Sequence, residues 1–118
     1  MIISGAAVVS TTPWVSILIP VYNVSSYLAA CVDSVMQQAD GGVEVIALDD
    51  ASTDGSLTQL QALAAHFEGR LRVLRHERNG GLSAARNTLI EASAGAYLWF
   101  LDSDDKLLPG AIAALRRA

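Results

Sequence analysis

The densest chemistry in the chain is the acidic run Asp102-Ser103-Asp104-Asp105, three carboxylates in four residues directly after an apolar, aromatic stretch. Close carboxylates repel one another by about 1 kcal/mol per pair in water and by several times that near a protein surface, so something positive is expected to share the site. A hard divalent cation fits, because Mg²⁺ and Mn²⁺ prefer oxygen ligands and Mg²⁺ is commonly held by one or two carboxylates together with substrate phosphates. Clamped between carboxylates and a diphosphate, such an ion neutralises charge developing on a nucleotide leaving group. Two further polar groups follow apolar runs: Asp49-Asp50 with Ser52-Thr53-Asp54, and Tyr22-Asn23. Each has a plainer reading. Asp, Ser and Thr favour turns and helix starts, so the 50–54 stretch alone reads as the beginning of a helix. Tyr22 alone is a packing residue with a wet hydroxyl. His66 and His76 lack metal-ligand spacing and read as structural or solvated, and Cys31 and Met36 read as core.

These groups act together only if the fold brings them to one edge. Four apolar, β-branched or aromatic runs, at 15–21, 43–49, 71–76 and 96–101, alternate with segments of helical period. That alternation predicts βαβ units and a parallel sheet, with strands buried on both faces. Leu28, Val32, Val35 and Met36 mark a first helix, with Ser25 or Ser26 as its cap. Leu57, Leu60, Leu63, Ala64 and Phe67 mark a second, stopped by Gly69. Leu82, Ala85, Leu89 and Ala92 mark a third, ended by Gly95, and a short fourth helix is expected after Pro109. In an open parallel sheet the strand carboxyl ends line the ligand crevice. Three of the four strands here discharge polar or acidic residues at that edge.

The bulk composition bounds the rest. At 118 residues the chain suits one hydrophobic core, and 52% hydrophobic against 17% charged residues is a folding composition. The net charge of −4, from 12 acidic and 8 basic side chains, makes nucleic acid an unexpected partner. Cys31 is the only cysteine, which excludes an internal disulfide and fits a reducing compartment. The start, MIISGAAVVSTTPW, lacks the basic region of a secretory signal and is too short to span a bilayer, so residues 1–14 read as a loose leader before a domain at 15–118.

The segments VSILIPVYN, VEVIALDDASTD, NGGLSAARN and AYLWFLDSDD, in this order, resemble the donor-binding portion of the family 2 inverting glycosyltransferases, over about residues 15–108. The resemblance implies an α/β fold of the GT-A, Rossmann-like type, a parallel sheet with flanking helices, here cut after the fourth strand. It implies transfer of a sugar from a nucleoside-diphosphate sugar, a UDP-sugar foremost, to an acceptor hydroxyl with inversion and with Mg²⁺ or Mn²⁺. By the same resemblance Tyr22 lies on or beside the base, and Asp50 accepts a hydrogen bond from a base N–H. Asp102 stands near the ribose and the metal, Ser103 is on the donor side, and Asp104 is a metal ligand holding the diphosphate. Arg86 supports the base and the acidic edge, and Pro20 and Asn23 shape the first donor loop. Ala51 and Thr88 depart from the pattern, standing where the family commonly has glycine.

The resemblance also implies that the general base required for inversion lies well downstream of the Asp-x-Asp pair, so it is expected beyond Ala118, and Asp105 is too close to the presumed metal to be the first choice. The sequence leaves the acceptor open among a polysaccharide, a lipid-linked sugar and a protein; polysaccharide or cell-envelope synthesis is the expected setting, with the chain cytoplasmic or at the cytoplasmic face of a membrane. An uncovered sheet edge would invite self-association. A nucleotidyltransferase or a nicotinamide dehydrogenase is disfavoured, because IPVYNVSSYL contains no glycine for a phosphate-cradling loop. The non-enzyme alternative is a nucleotide-binding remnant or regulatory module of the same fold.

Overall fold

A computed structural model describes residues 12–118. Four strands form one parallel sheet: β1 (Val15–Val21), β2 (Val43–Asp49), β3 (Leu71–Arg75) and β4 (Tyr97–Phe100), in the spatial order β3-β2-β1-β4. Helices α1 (Ser25–Met36), α2 (Ser56–His66) and α3 (Leu82–Ala92) connect successive strands, and α4 (Ala111–Arg117) follows β4. The strand order reverses beside β1. Such a switch point opens a crevice outside the strand carboxyl ends.

All seven residues of β1 are buried, as expected for the strand paired on both sides. Period-two alternation sorts its side chains. Ile17, Ile19 and Val21, with Val45 and Ala47 of β2, face Leu28, Cys31, Val32 and Val35 of α1, Leu60 of α2 and Ile112 of α4. Leu18, with Ile46 and Leu48 of β2, faces Ala85 and Leu89 of α3. Carried one residue past β2, the alternation sends Asp49 towards α2 and Asp50 towards α3.

Several sequence expectations need correction. Strands three and four are shorter than the 71–76 and 96–101 runs, although the ladder continues just beyond them through His76 N–H to Asp49 O, 2.9 Å, and Leu101 N–H to Leu18 O, 3.0 Å. The fourth run is an edge strand, with Tyr97 67% and Leu98 41% exposed. Neither Ser25 nor Ser26 caps α1. The helix starts after Val24, and the amides at its start are taken by the beginning of α2 and the loop before it: Val24 N–H by Ser56 Oγ at 3.1 Å and Ser25 N–H by Asp54 Oδ2 at 3.2 Å. Gly69 does supply a left-handed stop after α2, at φ 82°. Gly95 does not end α3, which stops at Ala92. It is instead where the chain crosses β1, with its N–H on Ser16 Oγ at 2.9 Å and a hypothetical Cβ only 2.5 Å from that oxygen.

The expected leader at residues 1–14 lies largely outside the described residues. Trp14 packs against the core, receives the Arg116 guanidinium at 4.9 Å from its ring centroid, and donates its backbone N–H to Gly42 O at 3.0 Å. Among the described residues no helix is long and apolar enough to cross a membrane.

Polar groups on and just beyond α1 fasten the segment after β4. The buried Cys31 thiol donates to Asp102 O at 3.8 Å, and Ser34 Oγ accepts Leu107 N–H at 2.9 Å. Gln38 donates through Nε2 to Leu108 O at 2.8 Å and accepts Ile112 N–H at 3.1 Å. The acidic run is thereby laid at the carboxyl end of the sheet.

Candidate functional site

A cavity of about 480 Å³ opens at the carboxyl ends of β1, β2 and β4. Pro20, Tyr22 and Val24 line it from the first loop, Asp50 from the second, and Asp102, Ser103 and Asp104 from the last. Asn79, Gly81, Leu82 and Ala85 complete it from the start of α3. Six of the residues singled out from the sequence therefore share one wall system. Tyr22 stands at 47% exposure with its ring available to a ligand face, whereas Ser103 is buried.

The side chains of Asp102, Asp104 and Asp105 are exposed, and one carboxylate oxygen from each lies within 4.8 Å of the others. At that separation each ionised pair costs about 1 kcal/mol in water and about 3 kcal/mol at an effective dielectric of 20. Among the described residues no Lys or Arg forms an ion pair with any of the three. The field is felt beneath: burial and then the charges of Asp105, Asp104 and Asp102 push the Cys31 thiol up to about 12, so it remains neutral. Three unpaired oxygen donors beside a cavity are a donor set that fits Mg²⁺ or Mn²⁺. Asp105 joins this set, which the sequence reading had limited to Asp102 and Asp104.

Asp50 is 3% exposed, and four donors converge on its carboxylate. Oδ1 accepts from His76 Nδ1 at 2.7 Å and Gly80 N–H at 2.9 Å; Oδ2 accepts from Gly81 N–H at 2.9 Å and Asn79 Nδ2 at 3.2 Å. Burial pushes its pKa up, but the bonds from Gly80, His76 and Gly81 outweigh burial and hold it below the ordinary carboxylate value. A direct bond from Asp50 to a base N–H, as expected from the resemblance, would share the carboxylate with these four donors. A carboxylate offers about four lone-pair sites, and all are used within the chain. Asp50 organises the 79–81 loop and presents the cavity with a fixed negative wall.

Asn23 and Arg86 are not on the cavity wall. Asn23, at φ 52°, accepts Thr53 N–H at 2.8 Å and Asp54 N–H at 3.3 Å through Oδ1, bracing the first loop against the second. Arg86 lies one helical position beyond Ala85, which rotates it by about 100° away from the cavity. Its guanidinium sits 5.6 Å from the centroid of Phe100, two residues before Asp102. The 50–54 stretch divides in two, with Asp54 starting a helix as the plainer reading has it, through Oδ1 to Ser56 N–H at 2.9 Å, and Asp50 serving the cavity.

The sequence reading missed Asn79, Gly81 and Leu82 as wall residues and His76 as the partner of Asp50. Leu82, expected in the core stripe of α3, is 52% exposed and lines the cavity. The available signal was Asn79-Gly80-Gly81 at a strand-to-helix turn, where Gly81 takes φ 88° and both glycine amides are free to turn onto an anion. The two departures from the family pattern also acquire places. Ala51 sits in the left-handed region at φ 60°, a conformation that costs a Cβ-bearing residue about 1 kcal/mol. Thr88 Oγ1 lies on α3, 2.8 Å from His76 Nε2.

The sequence pattern of glycosyl transferase family 2 matches residues 16–118. The uncharacterized glycosyltransferase EpsJ of Bacillus subtilis (strain 168) is 42% identical over 93 residues, which are 79% of this chain and 26% of EpsJ. The chondroitin synthase of Escherichia coli is 40% identical over 108 residues, 91% of this chain and 15% of that protein. The crystal structure of S. aureus TarS 1-349 in complex with UDP-GlcNAc superposes with a TM-score of 0.78 at 27% identity, covering 87% of this chain and 30% of that one. The chain thus spans about a quarter of EpsJ and less of the synthase. Its parallel sheet, its order of motifs and its cavity at the strand carboxyl ends agree with these likenesses, and the chain belongs to glycosyl transferase family 2.

Proposed function

We propose that the chain forms the donor site of a glycosyltransferase, binding a nucleoside-diphosphate sugar together with Mg²⁺ or Mn²⁺ for inverting transfer to an acceptor hydroxyl. The observation that carries this reading is the coincidence of Asp102 and Asp104 with Tyr22 and Asp50 around one cavity of about 480 Å³, next to three carboxylates that have no cationic partner among the described residues. Solved TarS with UDP-GlcNAc supplies the ligand class. In this reading the exposed face of Tyr22 takes the base, and the first loop, braced by Asn23, holds Tyr22 and Pro20 in place. Asp50 stays ionised and keeps the 79–81 loop against the base side. Asp102 and Asp104 would hold the cation, which would supply positive charge to the diphosphate, Ser103 lines the cavity between them, and Arg86 packs on Phe100 beside the acidic run.

When bound, the divalent ion offsets negative charge that grows on the diphosphate as the glycosidic bond breaks. The proton of the acceptor hydroxyl must go to a base. We assign that base to no member of the acidic group, because Asp105 is held with the other two carboxylates, and place it outside these 118 residues.

Calorimetric titration of UDP and GDP, each with Mn²⁺ and with EDTA, tests the reading. Binding that requires Mn²⁺ supports it. Equal heats with Mn²⁺ and EDTA, or no binding to either nucleotide, would overturn it.

A further inference from the structure

His76 is a residue the sequence reading leaves as structural or solvated, and it lines none of the cavity. Its two ring nitrogens are nonetheless both engaged. Nδ1 lies 2.7 Å from Asp50 Oδ1 and Nε2 lies 2.8 Å from Thr88 Oγ1, so the ring bridges the end of β3 to α3 on one side and to the cavity wall on the other. An ionised carboxylate only accepts hydrogen bonds, which places a hydrogen on Nδ1. Asp50 then passes the constraint on, because the same carboxylate holds Gly80 N–H, Gly81 N–H and Asn79 Nδ2. The loop is packed tightly above this link: a Cβ on Gly80 would lie 2.9 Å from Ala84 Cβ and 3.9 Å from His76 Nδ1. Without the His76 bond, Oδ1 keeps one donor and the carboxylate becomes free to rotate, which loosens its hold on Gly81.

We propose that His76 is a positioning residue for the donor site, fixing the orientation of Asp50 and through it the 79–81 wall against which the nucleotide binds. The inference rests on the donor-site reading above and deepens it. His76 touches no substrate in this scheme. Its effect is one of placement, where an error of about 1 Å in a binding wall is worth an order of magnitude or more.

Two substitutions separate placement from bulk. In His76→Asn the amide Nδ2 falls where the imidazole Nδ1 was and can still donate to Asp50, whereas in His76→Gln the amide nitrogen falls near the old Nε2. Mn²⁺ with UDP is titrated into wild type, His76→Ala, His76→Asn, His76→Gln and Thr88→Val, and amide hydrogen exchange is read at Gly80 and Gly81 in each. The expected result is UDP affinity weakened about tenfold in His76→Ala and His76→Gln, and by about threefold or less in His76→Asn and Thr88→Val. Exchange at the two glycines rises in the same order, and affinity for Mn²⁺ alone is unchanged. Equal losses in Asn, Gln and Ala would overturn the inference, since packing alone would explain them. Unchanged exchange in His76→Ala would also overturn it, whatever happens to UDP. Should His76→Ala fail to fold, the contrast between Asn and Gln carries the same decision. Failure of wild type itself to bind UDP with Mn²⁺ would instead strike the donor-site reading, and the exchange pattern would report separately on whether His76 fixes the loop.

Discussion

At Asp50 four donors meet on one carboxylate, from Asn79, Gly80, Gly81 and His76. Replacing it with Asn keeps the shape but sets an N–H₂ against donors, so Asp50→Asn is expected to lower unfolding free energy at neutral pH by about 1–3 kcal/mol, measurable by urea titration. The folded pKa of Asp50 is lowered from an ordinary value of 3.8. Its stabilising contribution is therefore complete above that value and is lost as pH falls through the folded pKa below it. The gap between wild type and variant should persist down to pH about 3.8 and close beneath it. A gap that closes instead between pH 5 and 7 would contradict this assignment. Ala51, strained at φ 60°, predicts the opposite sign: Ala51→Gly should raise the urea midpoint, by an amount corresponding to up to about 1 kcal/mol. The carboxylates were legible in the sequence because they follow apolar strands directly. His76 was not, because its partners lie 26 and 12 residues away and nothing local distinguishes it from a solvated strand-end histidine. Arg86 is expected from the resemblance to support the base and the acidic edge; it packs on Phe100, two residues before Asp102, and is not on the cavity wall.

Between elements, close approach governs. Gly95 crosses β1 so near that a Cβ would meet Ser16 Oγ at 2.5 Å and Ser16 N at 2.6 Å, both on the buried central strand. Gly95→Ala is expected to destabilise by about 1–3 kcal/mol, while Gly41→Ala, with nothing within 4 Å of the added carbon, should be close to neutral. Thermal unfolding of the two variants side by side checks this, and equal shifts would contradict it. The strands and helices were legible because period-two and period-3.6 patterns arise from burial, which is local in sequence. The caps were not. The amides of Val24 and Ser25 are satisfied by Ser56 and Asp54, 32 and 29 residues away, so no nearby serine was needed. Gly95 was readable as a break but not as a crossing, since only the sheet order brings it over Ser16.

For the whole molecule, the sheet leaves β4 at an edge with Tyr97 67% and Leu98 41% exposed, and Leu108 and Leu115 are also exposed. An apolar edge strand invites pairing, so sedimentation velocity should report concentration-dependent association of this 12.4 kDa chain, reduced by Leu98→Lys. A monomer at every concentration would contradict that expectation. The parallel fold was legible at this scale from the alternation of runs and from the four ordered motifs. Which strands lie at the edges was not, because an apolar run such as YLWF reads the same at the centre or the rim.

The central claim is that Asp102, Asp104 and Asp105 hold a divalent ion that grips a diphosphate in the adjoining cavity. The most direct measurement is electron paramagnetic resonance of free Mn²⁺ titrated with the chain in the presence of UDP, for wild type and Asp104→Asn. Wild type should deplete the free Mn²⁺ signal beyond what UDP alone does, and Asp104→Asn should weaken that depletion about tenfold or more, as expected when a charged ligand is lost. Indistinguishable titrations of the two proteins would contradict the claim.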